Sequence, residues 1–168
     1  NVYIIYSFSI FTYTLGIRIA ALWNPKARLW VDGRKKMFKK LEDGLTGKKG
    51  ESVWMHCASL GEFEQGRPLL EAIRKAYPKH FIVLSFFSPS GYEIRKNYAG
   101  VDLVCYLPAD SPDNASKFIQ LINPSLAIFI KYEFWYHYLN TLQKKNIPTL
   151  LVSAIFRDQQ PFFKSYGR

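Results

Sequence analysis

Residues 52–87 read SVWMHCASLGEFEQGRPLLEAIRKAYPKHFIVLSFF, and the fold follows from how that stretch divides. Ser52–Ala58 is a short β-rich run, bounded by Ser59-Leu60-Gly61. Glu62–Tyr77 has the length and composition of a helix and stops at Pro78, which cannot prolong one. Phe81–Phe87 is a second β-rich run. A strand, a helix of this length and another strand make a βαβ unit, whose two strands lie parallel.

The alternation continues toward the C-terminus. Asp102–Leu107, Ser125–Ile130 and Thr149–Ala154 read as strands, and Gly91–Tyr98, Pro112–Ile122 and Phe134–Lys145 as the helices among them. Asn123-Pro124 and Asn146 through Pro148 stop two helices, and Asp110-Ser111-Pro112 supplies a cap and an N1 proline for another. The run L-A-I-F-I at 126–130 is apolar throughout, as a strand covered on both faces requires. The expectation is an α/β domain with a Rossmann-like open parallel sheet of about five strands.

Upstream the character changes. Residues 2–17 carry no charge and include Tyr3, Tyr6, Phe8, Phe11 and Tyr13. Between Arg18 and Lys49 there are then ten basic residues against Asp32, Glu42 and Asp43, a local excess of +7 within a chain of net charge +10. Such a cluster suits a polyanion, and the aromatic, apolar stretch before it favours an anionic membrane surface over nucleic acid. A signal peptide fits poorly, because the positive charge follows the apolar stretch. The alternative is a hydrophobic helix docked on the domain's own core. The chain therefore divides into a membrane-associated helix and basic segment (1–43), a Gly-Lys-rich linker (44–50) and the α/β domain (51–168). It opens without methionine and closes on S-Y-G-R, so a fragment of a longer protein is expected.

Cys57 and Cys105 have neither metal nor disulfide spacing and read as buried thiols. His56 lies inside a predicted strand and reads as a core histidine rather than a ligand. No dinucleotide fingerprint, P-loop, zincin or nucleophile-elbow motif occurs, and no metal site or cofactor is expected. In an open parallel sheet, ligands bind beyond the carboxyl ends of the strands. The residues there are Ser59 through Glu62, Ser88 through Gly91, Pro108 through Asp110, Lys131 through Trp135, and Ser153 through Arg157. Glu62 and Glu133 fall on that edge, each near a helix start. Each reads either as a general base or as a first-turn residue that favours the helix dipole.

These edge motifs carry a resemblance. W-M-H-C-A-S-L-G-E (54–62) resembles the hallmark of the Kdo transferases, approximately H-x-x-S-x-G-E; that family attaches 3-deoxy-D-manno-octulosonic acid (Kdo) to the lipid A precursor. S-P-S-G (88–91) is similar to the family's T-P-T-G, L-P-A-D (107–110) to its L-P-x-D, and the segment 124–135 to the stretch ending E-T-E-L-W-P. The resemblance implies the N-terminal half of a two-domain GT-B glycosyltransferase on the cytoplasmic face of the cell inner membrane. The lipid A precursor would be the acceptor, and CMP-Kdo the donor, held mainly by a C-terminal domain not contained in these residues, so that the chain alone would be inactive. It further implies Glu62 as the general base of an inverting transfer and Glu133 as a second essential acid, with Ser59, Gly61, Ser88 and Gly91 shaping the pocket. Three positions depart from the pattern: Lys131 replaces the first glutamate of E-T-E, Tyr136 the proline, and S-A-I-F-R (153–157) the segment N-A-R-L-S. Lys131 and Arg157 are then candidate phosphate ligands. A membrane-tethered nucleotide-binding module and a non-catalytic interaction domain are the alternative readings.

Overall fold

The computed structural model describes residues 2–131 and 135–152. Three helices come first: α1 (Val2–Ala20), α2 (Pro25–Arg34) and α3 (Met37–Gly44). The alternating part follows as β1 (Ser52–Cys57), α4 (Leu60–Ala76), β2 (Phe81–Phe86), α5 (Pro89–Arg95), β3 (Leu103–Tyr106), α6 (Pro112–Ile122), β4 (Leu126–Ile130), α7 (Tyr136–Lys144) and β5 (Thr149–Val152). The five strands form one all-parallel sheet in the order β3-β2-β1-β4-β5. The α/β fold expected from the sequence is therefore the one observed. The strand order reverses between β1 and β4, where such sheets open their ligand crevice.

The alternation of side chains along the strands builds two cores. Val53, Met55 and Cys57 join Phe63 and Leu70 of α4 and Phe86 on one face. Trp54 turns to the other face, among Phe118 of α6, Phe129, and Tyr138 and Leu142 of α7. Both faces of the central strands are covered, whereas Leu150 and Leu151 of the edge strand β5 are exposed.

The basic segment, for which the sequence reading named no elements of its own, forms the two helices α2 and α3. Asn24 caps α2 through its side chain, which accepts from the backbone N–H of Lys26 (2.9 Å) and Ala27 (3.1 Å), and Pro25 occupies the first helical position. Leu41 of α3 is buried in the core beside Phe118 and Ile122. Around the 44–50 turn, Leu45 packs against the same core and the Lys48 ammonium reaches the carbonyl of Ile122.

α1 meets the domain along one side only. Tyr6 donates to Asp110 (2.5 Å), Ser7 lies 3.2 Å from Nε2 of His137, and the Tyr13 ring stacks on Phe87. Its other side exposes Ile4, Ile5, Phe8, Phe11 and Ile19. The stretch Tyr3–Ala20 is long and apolar enough to cross a membrane by length and composition.

Glycines let α-helices approach the sheet, Gly33 and Gly44 at β3 and Gly66 and Gly91 nearer its centre. A Cβ on Gly66 would sit 2.7 Å from Cγ1 of Ile130, so this glycine seats α4 on β4. A Cβ on Gly91 would fall well inside contact distance of the Phe86 ring, which is itself fully buried. Gly91→Ala should accordingly cost about 1–3 kcal/mol by overpacking, read as a lowered urea midpoint with unchanged slope.

Candidate functional site

The carboxyl edge is assembled by charged side chains that satisfy backbone groups. The first is Glu62, in the opening turn of α4 and 6% exposed. Its Oε2 accepts from the backbone N–H of Ala58 (2.5 Å) and Ser59 (3.2 Å), the turn that leaves β1. The helix start that the sequence offered as one reading of Glu62 is thus real. It uses a single oxygen; Oε1 makes no hydrogen bond among the described residues. Next to it, Gly61 has no atom within 4 Å of the position a Cβ would take, so open space lies over this turn.

Asp110 does for α7 what Glu62 does for its own helix. Trp135, at the cap position of α7, makes no side-chain capping bond. Instead Asp110, from the loop after β3, accepts from the N–H of His137 (3.2 Å) and Tyr138 (3.2 Å) in addition to the Tyr6 hydroxyl. Burial pushes its carboxyl up, against these three hydrogen bonds that favour the ionised form. The Tyr138 hydroxyl then donates to the carbonyl of Pro108 (3.1 Å), tying α7 to the same loop.

Arg34, in the last turn of α2, completes the edge. Its Nη2 donates to the carbonyls of Phe87 and Leu107, each 2.9 Å away, directly beyond β2 and β3. Nε also reaches Leu107, and Nη1 the Trp30 carbonyl. The guanidinium lies 3.8 Å from the centre of the Trp30 ring and has no carboxylate partner among the described residues. Burial lowers it to about 9, which still leaves it charged at neutral pH.

Of the other predicted site residues, Ser59 is the cap residue of α4, and Ser88 caps α5, with its hydroxyl accepting from Ser90 N–H (3.3 Å). Gly91 serves the packing of α5 on Phe86 rather than lining open space. Lys131 follows β4 with φ of 68°, in the left-handed region that costs a lysine conformational energy, while its N–H pairs with Val152 (2.7 Å). Its side chain is exposed and unpaired among the described residues. β1 and β4 are neighbours in the sheet, so Lys131 and the Ala58–Glu62 turn stand at adjacent strand ends. Glu133 and Arg157 lie outside the described residues.

Sequence reasoning placed Asp110 on this edge but missed its bonds to α7, and it missed Arg34 altogether. For Asp110 a signal existed: α7 begins without a capping residue of its own, so an acceptor had to come from elsewhere. Arg34 sat unnoticed within a run of surface-type charges. The cysteines are buried as expected; burial holds the Cys57 thiol high and pushes Cys105 up to about 12, so both stay protonated.

His56 is 2% exposed. Ser85 accepts the Trp54 indole N–H (2.8 Å), and its hydroxyl sits 2.8 Å from Nδ1 of His56. Nε2 has no partner among the described residues. Burial lowers the imidazole to about 3.

Open parallel sheets of this kind bind ligands at the switch point, where Oε1 of Glu62 and the Lys131 side chain stand at neighbouring strand ends. Residues 31–167 match the family described as 3-deoxy-D-manno-octulosonic-acid transferase (kdotransferase). The chain belongs to that family and corresponds to its N-terminal domain, consistent with the N-terminal half of a GT-B fold. It is 30% identical over 105 residues to the 3-deoxy-D-manno-octulosonic acid transferase of Haemophilus influenzae, covering 62% of this chain and 25% of the relative. With the Aquifex aeolicus protein of the same name it shares 32% over 121 residues, 71% of this chain and 32% of the relative. A bifunctional glycosyltransferase/methyltransferase from Fusobacterium nucleatum is 26% identical over 125 residues, 72% of this chain and 19% of that protein. The aligned part thus spans a quarter to a third of the length of the first two relatives.

The His56 environment makes a prediction about acid. The imidazole ordinarily titrates near 6.5 and in the fold near 3, so between these values the unfolded chain binds a proton that the native one does not. Stability should therefore be complete above about pH 6.5 and fall as pH drops toward 3. In a His56→Gln variant, urea midpoints measured at pH 7 and pH 4.5 should differ less than in the wild type.

Proposed function

We propose that the chain is the acceptor-binding part of a glycosyltransferase that moves Kdo from CMP-Kdo to the lipid A precursor in lipopolysaccharide synthesis. The observation that carries this reading is Glu62, a carboxylate fixed by its own turn with one oxygen left over at the sheet's switch point. Two backbone N–H donors hold Oε2 and so fix the direction of the carboxylate. Oε1 takes the proton of the acceptor's sugar hydroxyl while that oxygen attacks the anomeric carbon of Kdo. The new C–O bond forms as the bond to the CMP phosphate breaks, and the electron pair leaves with CMP. Attack from the face opposite the leaving group inverts the centre. Lys131, unpaired at the neighbouring strand end, binds an acceptor or donor phosphate, with Arg157 as a second phosphate ligand and Glu133 as the second acid. Ser59, Gly61 and Ser88 shape the acceptor side.

The residues described here supply one wall of this cleft. The donor wall belongs to a second α/β domain in the remaining length that the relatives possess, so that residues 1–168 alone bind acceptor without turnover. α1 and the basic α2–α3 pair associate with the cytoplasmic face of the inner membrane. The exposed aliphatic and aromatic side chains of α1 and the excess of ten basic over three acidic residues in 18–49 support that placement.

In the full-length enzyme, Glu62→Gln should keep the fold, because the amide retains an oxygen to accept from Ala58 and Ser59. It removes the base, so kcat should fall by about 10²-fold or more with KM little changed. A variant that retains more than about a tenth of wild-type kcat would reject the assignment. Near-total loss in Glu133→Gln with an active Glu62→Gln would move the base to Glu133.

Membrane attachment has a separate test. Deleting residues up to Trp23, combined with charge reversal at Lys35, Lys36, Lys39 and Lys40, should release the protein from phosphatidylglycerol vesicles at low salt. Each basic residue near such a surface contributes about 1 kcal/mol. Unchanged sedimentation with vesicles after both changes would make the segment purely structural.

A further inference from the structure

The hydrogen bonds of Arg34 leave its charge unanswered. All four of them run to neutral backbone carbonyls, those of Trp30, Phe87 and Leu107. No described residue forms an ion pair with it, and burial lowers the group to about 9. Buried charges are ordinarily paired, because neutral dipoles return only part of the hydration that burial removes. The carbonyls orient the guanidinium, and a counter-ion is still wanting.

Arg34 lines a cavity of about 530 Å³ between α1, α2 and the loop after β3. Two further cations line it, Arg18 from the last turn of α1 and Lys35 at the end of α2. Arg18 has no ion-pair partner among the described residues. Lys35 has only Asp32, in a solvent-exposed pair that holds it weakly. The start of α6 lies at the same cavity through Ser111 and Asn114, which brings the positive end of that helix dipole to it. Asp110 is the one carboxylate of the lining, and its oxygens already accept from Tyr6, His137 and Tyr138. Three cations against one carboxylate leave the lining at +2. The volume exceeds that of a bare oxyanion and admits the group that carries it. Phe11 lines the cavity and is 61% exposed, so the cavity reaches the apolar outer side of α1.

We propose that this cavity is a discrete site for the phosphate of one anionic membrane lipid, whose headgroup enters while its acyl chains stay in the bilayer beside α1. The inference rests on the membrane placement proposed above and sharpens it. Attraction of the basic segment to an anionic surface is diffuse, whereas here a single phosphate is held by Arg18 and Lys35 and compensates Arg34. Arg18 and Lys35 belong to different helices, so the bound lipid also ties α1 to α2.

The test counts lipids on the full-length protein by native mass spectrometry in dodecyl maltoside. Phosphatidylglycerol should be retained as one molecule per chain at concentrations where phosphatidylcholine, whose choline the three cations repel, is not. Arg18→Gln and Lys35→Gln should each weaken that retention about tenfold, the loss of one charge-assisted bond. Arg34 stays intact in the test, because its four bonds hold the sheet's edge. Lys39→Gln and Lys40→Gln, which lie outside the cavity, should change it by less than about twofold while lowering sedimentation with vesicles. Equal losses in all four variants would overturn the site, because the attraction would then be diffuse. Equal retention of phosphatidylcholine would overturn it as well, since the acyl chains alone would be binding. Displacement by an equal concentration of inorganic phosphate would show a free-anion site and overturn the lipid as its source. The count needs no bilayer, so one retained phosphatidylglycerol in a protein that does not sediment with vesicles would keep the site and remove the membrane placement. Sedimentation without that retained lipid would do the reverse.

Discussion

Five parallel strands end on one edge of the sheet, and the peptide groups they leave there, together with the first N–H groups of the following helices, have no strand or helix partner. Buried without hydrogen bonds, they would cost about 1–3 kcal/mol each. This demand organises the described edge. Glu62 takes the N–H groups of the turn after β1, Arg34 the carbonyls beyond β2 and β3, and Asp110 the first N–H groups of α7. Each bond runs to a charged group, which makes it stronger than a neutral one. Arg34 and Asp110 also cross between parts of the chain far apart in sequence, so the edge holds the N-terminal helices onto the sheet.

What remains after that demand is met is what chemistry can use. Among the described charges of the edge, Glu62 keeps one oxygen and Lys131 its whole ammonium group, whereas Arg34 and Asp110 are occupied. The structural and functional readings of Glu62 therefore do not compete. A carboxylate held by its own turn through one oxygen is fixed in direction and still presents the other. The left-handed backbone of Lys131 fits the same pattern, a strained residue located where the strand order reverses.

Much of this was legible in the sequence. The βαβ alternation depends on short-range patterns, and strands buried on both faces announce themselves by apolar runs such as 126–130. Glu62 and Ser88 could be placed because parallel strands fix which loops share an edge. The Asn24-Pro25 pair, a cap followed by an N1 proline, was a readable helix start within the basic segment and was passed over. Arg34 could not be read in the same way. Its partners lie 53 and 73 positions away, and only the tertiary fold removes it from water and from its neighbours' charge. Gly91 likewise looked like a member of a loop motif, but the Phe86 ring against which it packs is a property of the folded helix–strand contact.

The seating of α1 follows from the same balance of magnitudes. Two side-chain hydrogen bonds and five aromatic contacts, Tyr3 and Tyr6 each with Tyr136 and His137 and Tyr13 with Phe87, hold its inner side at about 0.5–1.5 kcal/mol for each contact. On the outer side, Ile4, Ile5, Phe8, Phe11 and Ile19 are largely exposed, and burying each such side chain in an apolar medium is worth about 1.5–3 kcal/mol. A bilayer can thus outweigh the edge in setting the position of the helix. A detached α1 would leave Asp110 without the Tyr6 hydroxyl. The partial contact therefore keeps one side of the helix on the sheet's carboxyl edge and leaves the other open to an apolar medium.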